Sequence, residues 1–131
     1  MTEVPAGLRT ACWDLPPDLS VIGKTRGMVS DVLVSWSLRP LADDVVLVVG
    51  ELLANAISYG RPPVRLDLSA AEDLRVQVTD HGPAQPRRLD LGIDAVHGRG
   101  LAIIEALADE CGVIPLHGTP GKTVWACWRL A

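Results

Sequence analysis

The sequence predicts an α/β fold: a two-layer α/β sandwich with a mixed, mainly antiparallel sheet and helices on one face. Three observations predict it. Two segments carry apolar residues at helical spacing, and the two segments that follow them alternate apolar and polar residues at strand spacing. A third helical pattern then precedes two more short strand patterns. Helices gathered on one side of an antiparallel sheet bury all these apolar faces in one core.

Residues 8–14 read as a short edge strand. Pro16 and Pro17 then break the chain, and Asp18 or Ser20 suits a helix N-cap. From there Val21, Ile22, Met28, Val29, Val32, Leu33 and Trp36 fall on one helical face, and Arg39-Pro40 stops the helix. Residues 41–59 hold a conflict. Val45 to Val49 alone would read as a buried strand. However, Asp43 and Asp44 suit a helix start, the apolar pattern continues through Leu52, Leu53, Ala56 and Ile57, and Gly60 offers a C-cap. One long helix, buried on most sides, is predicted.

Pro62-Pro63 opens a strand with Val64, Leu66 and Leu68 on one face and Arg65 and Asp67 on the other. Residues 70–73 turn the chain. Leu74, Val76 and Val78 then alternate with Arg75, Gln77 and Thr79, completing a hairpin with one buried face. Residues 80–98 show little apolar periodicity, and loops of that length in a compact domain are usually functional. A helix is expected from Gly100 to about Glu110, with Leu101, Ile103, Ile104 and Leu107 inward and Gly112 closing it. Strands over 113–117 and 122–130 finish the fold, joined through Gly118, Pro120 and Gly121.

The chain has 131 residues, which fits one domain over 1–131. It is 48% hydrophobic and 21% charged, enough to bury a core. A net charge of -4 excludes nucleic acid as the default partner, because phosphate binding wants a basic face. No stretch is long and apolar enough for a membrane span, and the N-terminal segment does not read as a signal peptide. Cys12, Cys111 and Cys127 are widely spaced and form no CxxC pair. They are read as three small buried residues in a reducing, cytoplasmic setting. Trp13, Trp36, Trp125 and Trp128 are read mostly as core, since the chain has no Phe.

Four short pieces carry candidate chemistry. Glu51 and Asn55 stand at i and i+4 on the second helix and so share a face. A carboxylate beside an amide can hold Mg²⁺ through oxygen and position a hydroxyl; alone, the pair would sooner be an idle surface feature. Asp80-His81-Gly82 ends a strand, where a carboxylate can accept from an exocyclic amine and a glycine lets a base lie close; alone, it reads as an ordinary turn. Gly98-Arg99-Gly100-Leu101 opens a helix, whose free N–H groups and dipole favour phosphate. This is neither a dinucleotide fingerprint nor a P-loop. Gly121-Lys122-Thr123 starts the last strand, where a bare hairpin turn is the plain reading.

The order Glu-x-x-x-Asn, Asp-x-Gly, Gly-x-Gly-Leu and Gly-x-Thr resembles the N, G1, G2 and G3 boxes of the GHKL superfamily of ATPases and kinases. The stretch 51–60 is most similar to the small anti-sigma-factor serine kinases of actinobacteria. The resemblance implies a Bergerat fold with ATP and Mg²⁺ as cofactors. Asn55 would be the metal ligand bridging the phosphates, and Glu51 the catalytic base on a serine hydroxyl. Asp80 would read the adenine amine with Gly82 against the base. Gly98, Arg99, Gly100 and Leu101 would meet the phosphates, and Thr123 would put its hydroxyl at the adenine end, beside Asp80. Residues 83–97 would form the ATP lid, although Ala84 after Pro83 replaces a glycine that family members often carry. The implied partners are an anti-anti-sigma (STAS) protein and a sigma factor, with relatives that often dimerise. Two other readings share the site: a histidine-kinase-type ATPase domain, and a non-catalytic module that sequesters a regulator and whose shape ATP sets.

Overall fold

The computed structural model describes residues 7–82 and 102–130. The elements run β1 (Arg9–Leu15), α1 (Val21–Ser35), a 3-10 turn (Arg39–Leu41), α2 (Ala42–Tyr59), β2 (Val64–Ala70), β3 (Asp73–Asp80), β4 (Glu110–Pro115) and β5 (Lys122–Arg129). Residues 102–107 are also helical.

The five strands form one sheet in the order β1-β2-β3-β5-β4, and all four pairings are antiparallel. Val64, Leu66 and Leu68 of β2 share a face with Leu74, Val76 and Val78 of β3 and with Ala126 and Trp128 of β5. All of them are buried in one cluster with Val29 and Leu33 of α1 and Val45, Val48, Val49, Leu52, Leu53 and Ala56 of α2. The helices therefore cover that face, as a two-layer sandwich requires. The opposite face carries Arg65, Asp67, Thr79, Gln77, Arg75, Thr123, Trp125 and Cys127.

Helix α2 resolves the conflict over its valine run. Val45, Val48 and Val49 are fully buried whereas Leu47 is 41% exposed. That is the 3.6-residue period and not the alternation of a strand. Asp43 and Asp44 stand in its first turn, at the positive end of the helix dipole. In α1, Ser20 makes no side-chain cap. Asp18 acts instead: its Oδ1 accepts from the Ser20 N–H at 2.9 Å, a bond that holds the Asp18 carboxyl below its ordinary range.

Several boundaries and placements differ from expectation. The turn of the β2–β3 hairpin shrinks to Ala71 and Glu72, because Ala70 already pairs with Leu74 and Asp73 with Arg129 of β5. The last helical segment stops at 107 and β4 begins at Glu110, so Gly112 lies within a strand and closes no helix. Its missing side chain has a use there, since a Cβ would come within 2.9 Å of the Trp125 indole across the ladder. Gly60 follows α2 with extended backbone, not in the left-handed cap conformation. The cysteines are not uniformly buried: Cys127 is buried, Cys111 half-buried and Cys12 exposed on the edge strand opposite Asp67. Trp128 is core and bonds through Nε1 to the Leu107 carbonyl at 2.8 Å. Trp13 and Trp36 pack partly against the core, while Trp125 lies on the outer face under the Arg75 guanidinium at 4.6 Å.

Candidate functional site

Strand β3 ends on the core face with Asp80, which is only 1% exposed. Both carboxylate oxygens are engaged. Oδ1 accepts from the Gly82 N–H at 2.8 Å, and Oδ2 accepts from Lys122 Nζ at 2.9 Å. Lys122 is the cross-strand partner of Asp80 at the start of β5, and it is buried as well. A buried carboxylate held by a backbone N–H on one oxygen and an ammonium on the other keeps one orientation.

Glycines make this packing feasible. A Cβ on Gly60 would overlap the Asp80 carboxyl, so the chain leaving α2 passes directly over Asp80. A Cβ on Gly82 would meet the Gly60 backbone at 2.8 Å. Gly121 adopts φ +134, a conformation that side-chain-bearing residues rarely adopt, and a Cβ there would overlap the Asp80 carbonyl. The His81 N–H donates to the Arg61 carbonyl at 2.9 Å and ties the two segments together. The end of β3 and the end of α2 thus form one tight joint.

Glu51 and Asn55 lie on α2 itself, both half-buried at the border of its apolar stripe. At 1.5 Å per residue, Asn55 stands about 7.5 Å up the axis from Gly60 and Glu51 about 6 Å further. Among the described residues neither side chain has a hydrogen-bond partner. Asp80, Asn55 and Glu51 therefore mark three levels along one helix.

Thr123 does not join them, which corrects the expectation that it stands beside Asp80. It pairs with Thr79 across β3 and β5, with the two hydroxyl oxygens 2.7 Å apart on the outer face. Successive strand residues point to opposite faces, so the residue beside Asp80 is Lys122. Reading Gly-x-Thr as a box treated Lys122 as a spacer, although alternation along the strand pointed to it. Gly98, Arg99, Gly100, Leu101 and the lid expected over 83–97 lie outside the described residues.

A model of the histidine kinase-like ATPase domain family matches residues 15–128. The chain belongs to that family. Among solved structures, this histidine kinase-like ATPase domain is similar in fold to the histidine kinase domain from the Erythrobacter litoralis EL346 blue-light activated histidine kinase. The TM-score is 0.56 at 21% identity, over 88% of this chain. The chain spans 62% of the length of that structure. No curated protein sequence matches it. Among the described residues, no helix of the domain is long and apolar enough to cross a membrane.

Proposed function

We propose that this ATPase-family domain binds ATP with Mg²⁺ and acts as a serine protein kinase of the anti-sigma regulatory type. Its substrate would be a serine of an anti-anti-sigma (STAS) protein, and a sigma factor its second partner. One observation carries the reading: the helix that bears Glu51 and Asn55 one turn apart ends packed on the buried Asp80. A nucleotide with its base at Asp80 and its phosphates along α2 meets Asn55 first and Glu51 next.

The donor set fits magnesium. Among the described residues no group of three or more His, Cys, Asp or Glu could hold a metal alone. Mg²⁺ needs no such cage, because it takes one or two protein oxygens and completes its shell with phosphate and water. Asn55 would supply the amide oxygen, and the ion would neutralise phosphate charge. Glu51 would accept the serine hydroxyl proton as the serine oxygen bonds to the γ-phosphorus. The bond from that phosphorus to the β-phosphate oxygen breaks and ADP leaves. Gly98, Gly100 and Leu101 would offer backbone N–H groups to the phosphates, with Arg99 adding charge.

The test is transfer from γ-labelled ATP, with Mg²⁺, to a purified STAS protein. Acid-stable label on serine is expected. Asn55→Ala should abolish magnesium-dependent binding. Glu51→Gln should keep binding and lose transfer by about 10²–10⁴-fold, the usual weight of a general base. Full transfer by the Glu51 variant would remove it as base. Because the family is that of histidine kinase-like ATPases, a second reading is an ATPase domain of histidine-kinase type. Acid-labile label on a partner histidine would favour that reading.

A further inference from the structure

We propose that Lys122 is a second base-reading residue, donating from its ammonium to the ring nitrogen N1 of adenine while Asp80 accepts from the neighbouring 6-amino group. This deepens the ATP-site reading above and rests on it.

The geometry begins with strand register. Asp80 and Lys122 are direct cross-strand partners on the core face, with Nζ 2.9 Å from Oδ2. Their side chains are 2% and 5% exposed. An ammonium carries three N–H bonds and a carboxylate oxygen two lone pairs. Among the described residues Asp80 takes one of those N–H bonds, which leaves two in a setting where unmade hydrogen bonds are costly. Oδ2, in turn, has a second lone pair to offer. Oδ1 is held by the Gly82 N–H, so the carboxylate cannot swing away from its position.

An acceptor next to a donor is the complement of the adenine edge, whose 6-amino group donates and whose N1 accepts. A 6-oxopurine in the same pose is doubly mismatched. Its O6 faces the carboxylate and its N1–H faces the ammonium. Lys122 is thereby a specificity-determining residue for adenine, and more than an internal counter-ion for Asp80.

The experiment compares ATP with 1-deaza-ATP, in which N1 is a C–H, by calorimetric titration of the whole chain with Mg²⁺. The wild-type protein should bind 1-deaza-ATP about ten- to hundredfold more weakly, the weight of one charged hydrogen bond. It should also disfavour inosine triphosphate. Lys122→Met should bring the ratio between ATP and 1-deaza-ATP close to one, whatever its absolute affinities. Lys122→Arg, which keeps donors in place, should retain discrimination. A purely structural lysine would shift both affinities together and leave the ratio unchanged. Should the wild-type chain bind the two nucleotides equally, Lys122 does not read the base, while the ATP site stands. No binding of ATP at all would overturn the site reading and this inference with it. The wild-type comparison and the arginine variant carry the test even where the methionine variant fails to fold.

Discussion

Asp80 and Lys122 each depend on the other in an interior that admits neither charge alone. Asp80→Ala leaves an ammonium without a counter-charge, which costs about 3–5 kcal/mol for comparable buried pairs. Denaturant unfolding should show this loss. Adding Lys122→Met should recover much of it, because two apolar groups can replace a buried pair at little cost. Gly60→Ala should destabilise by about 1–3 kcal/mol, the range for forcing an added group into a packed site, since its Cβ overlaps the Asp80 carboxyl. Thr123→Val should leave ATP affinity within about twofold and cost at most about 1 kcal/mol, the net value of one hydrogen bond. The thiols should separate by reactivity at neutral pH. Burial pushes Cys111 and Cys127 above the ordinary thiol range, so less thiolate is present there, while Cys12 is exposed. Alkylation followed by mass spectrometry should find Cys12 modified first. At this scale, the types of Glu51, Asn55 and Asp80 announced themselves as polar residues where apolar ones prevail. Lys122 did not, because a lysine beside a glycine turn looks solvated until the register sets it against Asp80.

The elements were more legible, for a physical reason. Helix α2 declared itself by a period that ran past the valines to Ala56, and burial followed that period residue by residue. Leu53 is fully buried at its centre, so Leu53→Ala should cost about 2–5 kcal/mol in denaturant unfolding. The boundaries missed were those that tertiary pairing sets. Glu110 to Gly112 became strand because β5 offers a ladder partner for each, Cys127, Ala126 and Trp125, which no local pattern could announce. Gly60 was foreseen as a helix end but for the wrong cause. It is glycine because Asp80, twenty residues on, needs the space.

At the scale of the whole molecule, the layers followed from the order of patterns, and the family match over 15–128 agrees with them. Strands β2, β3 and β5 lie inside the sheet, and β1 and β4 are its edges. Hydrogen exchange should therefore be slowest in β2, β3 and β5 and faster in β1 and β4. If the site binds ATP, mass action stabilises the fold by about 2.7 kcal/mol at a ligand concentration of 100 times Kd. A midpoint that rises with ATP·Mg²⁺ for the wild-type chain, and stays fixed for Asn55→Ala, is the expected result.

The alternation of Lys122 and Thr123 across β5 has a consequence for sequence change. One residue removed from the 116–121 turn, with the strand slipping by one, would bring Thr123 into the place of Lys122 and set a hydroxyl opposite Asp80. The same slip would carry Trp128 out of the interior and Trp125 into it, because every side chain on the strand moves to the other face. The group that faces Asp80 is thus locked by the packing of two distant tryptophans, and point substitution at 122 is the one route by which the chain can alter it and keep its core.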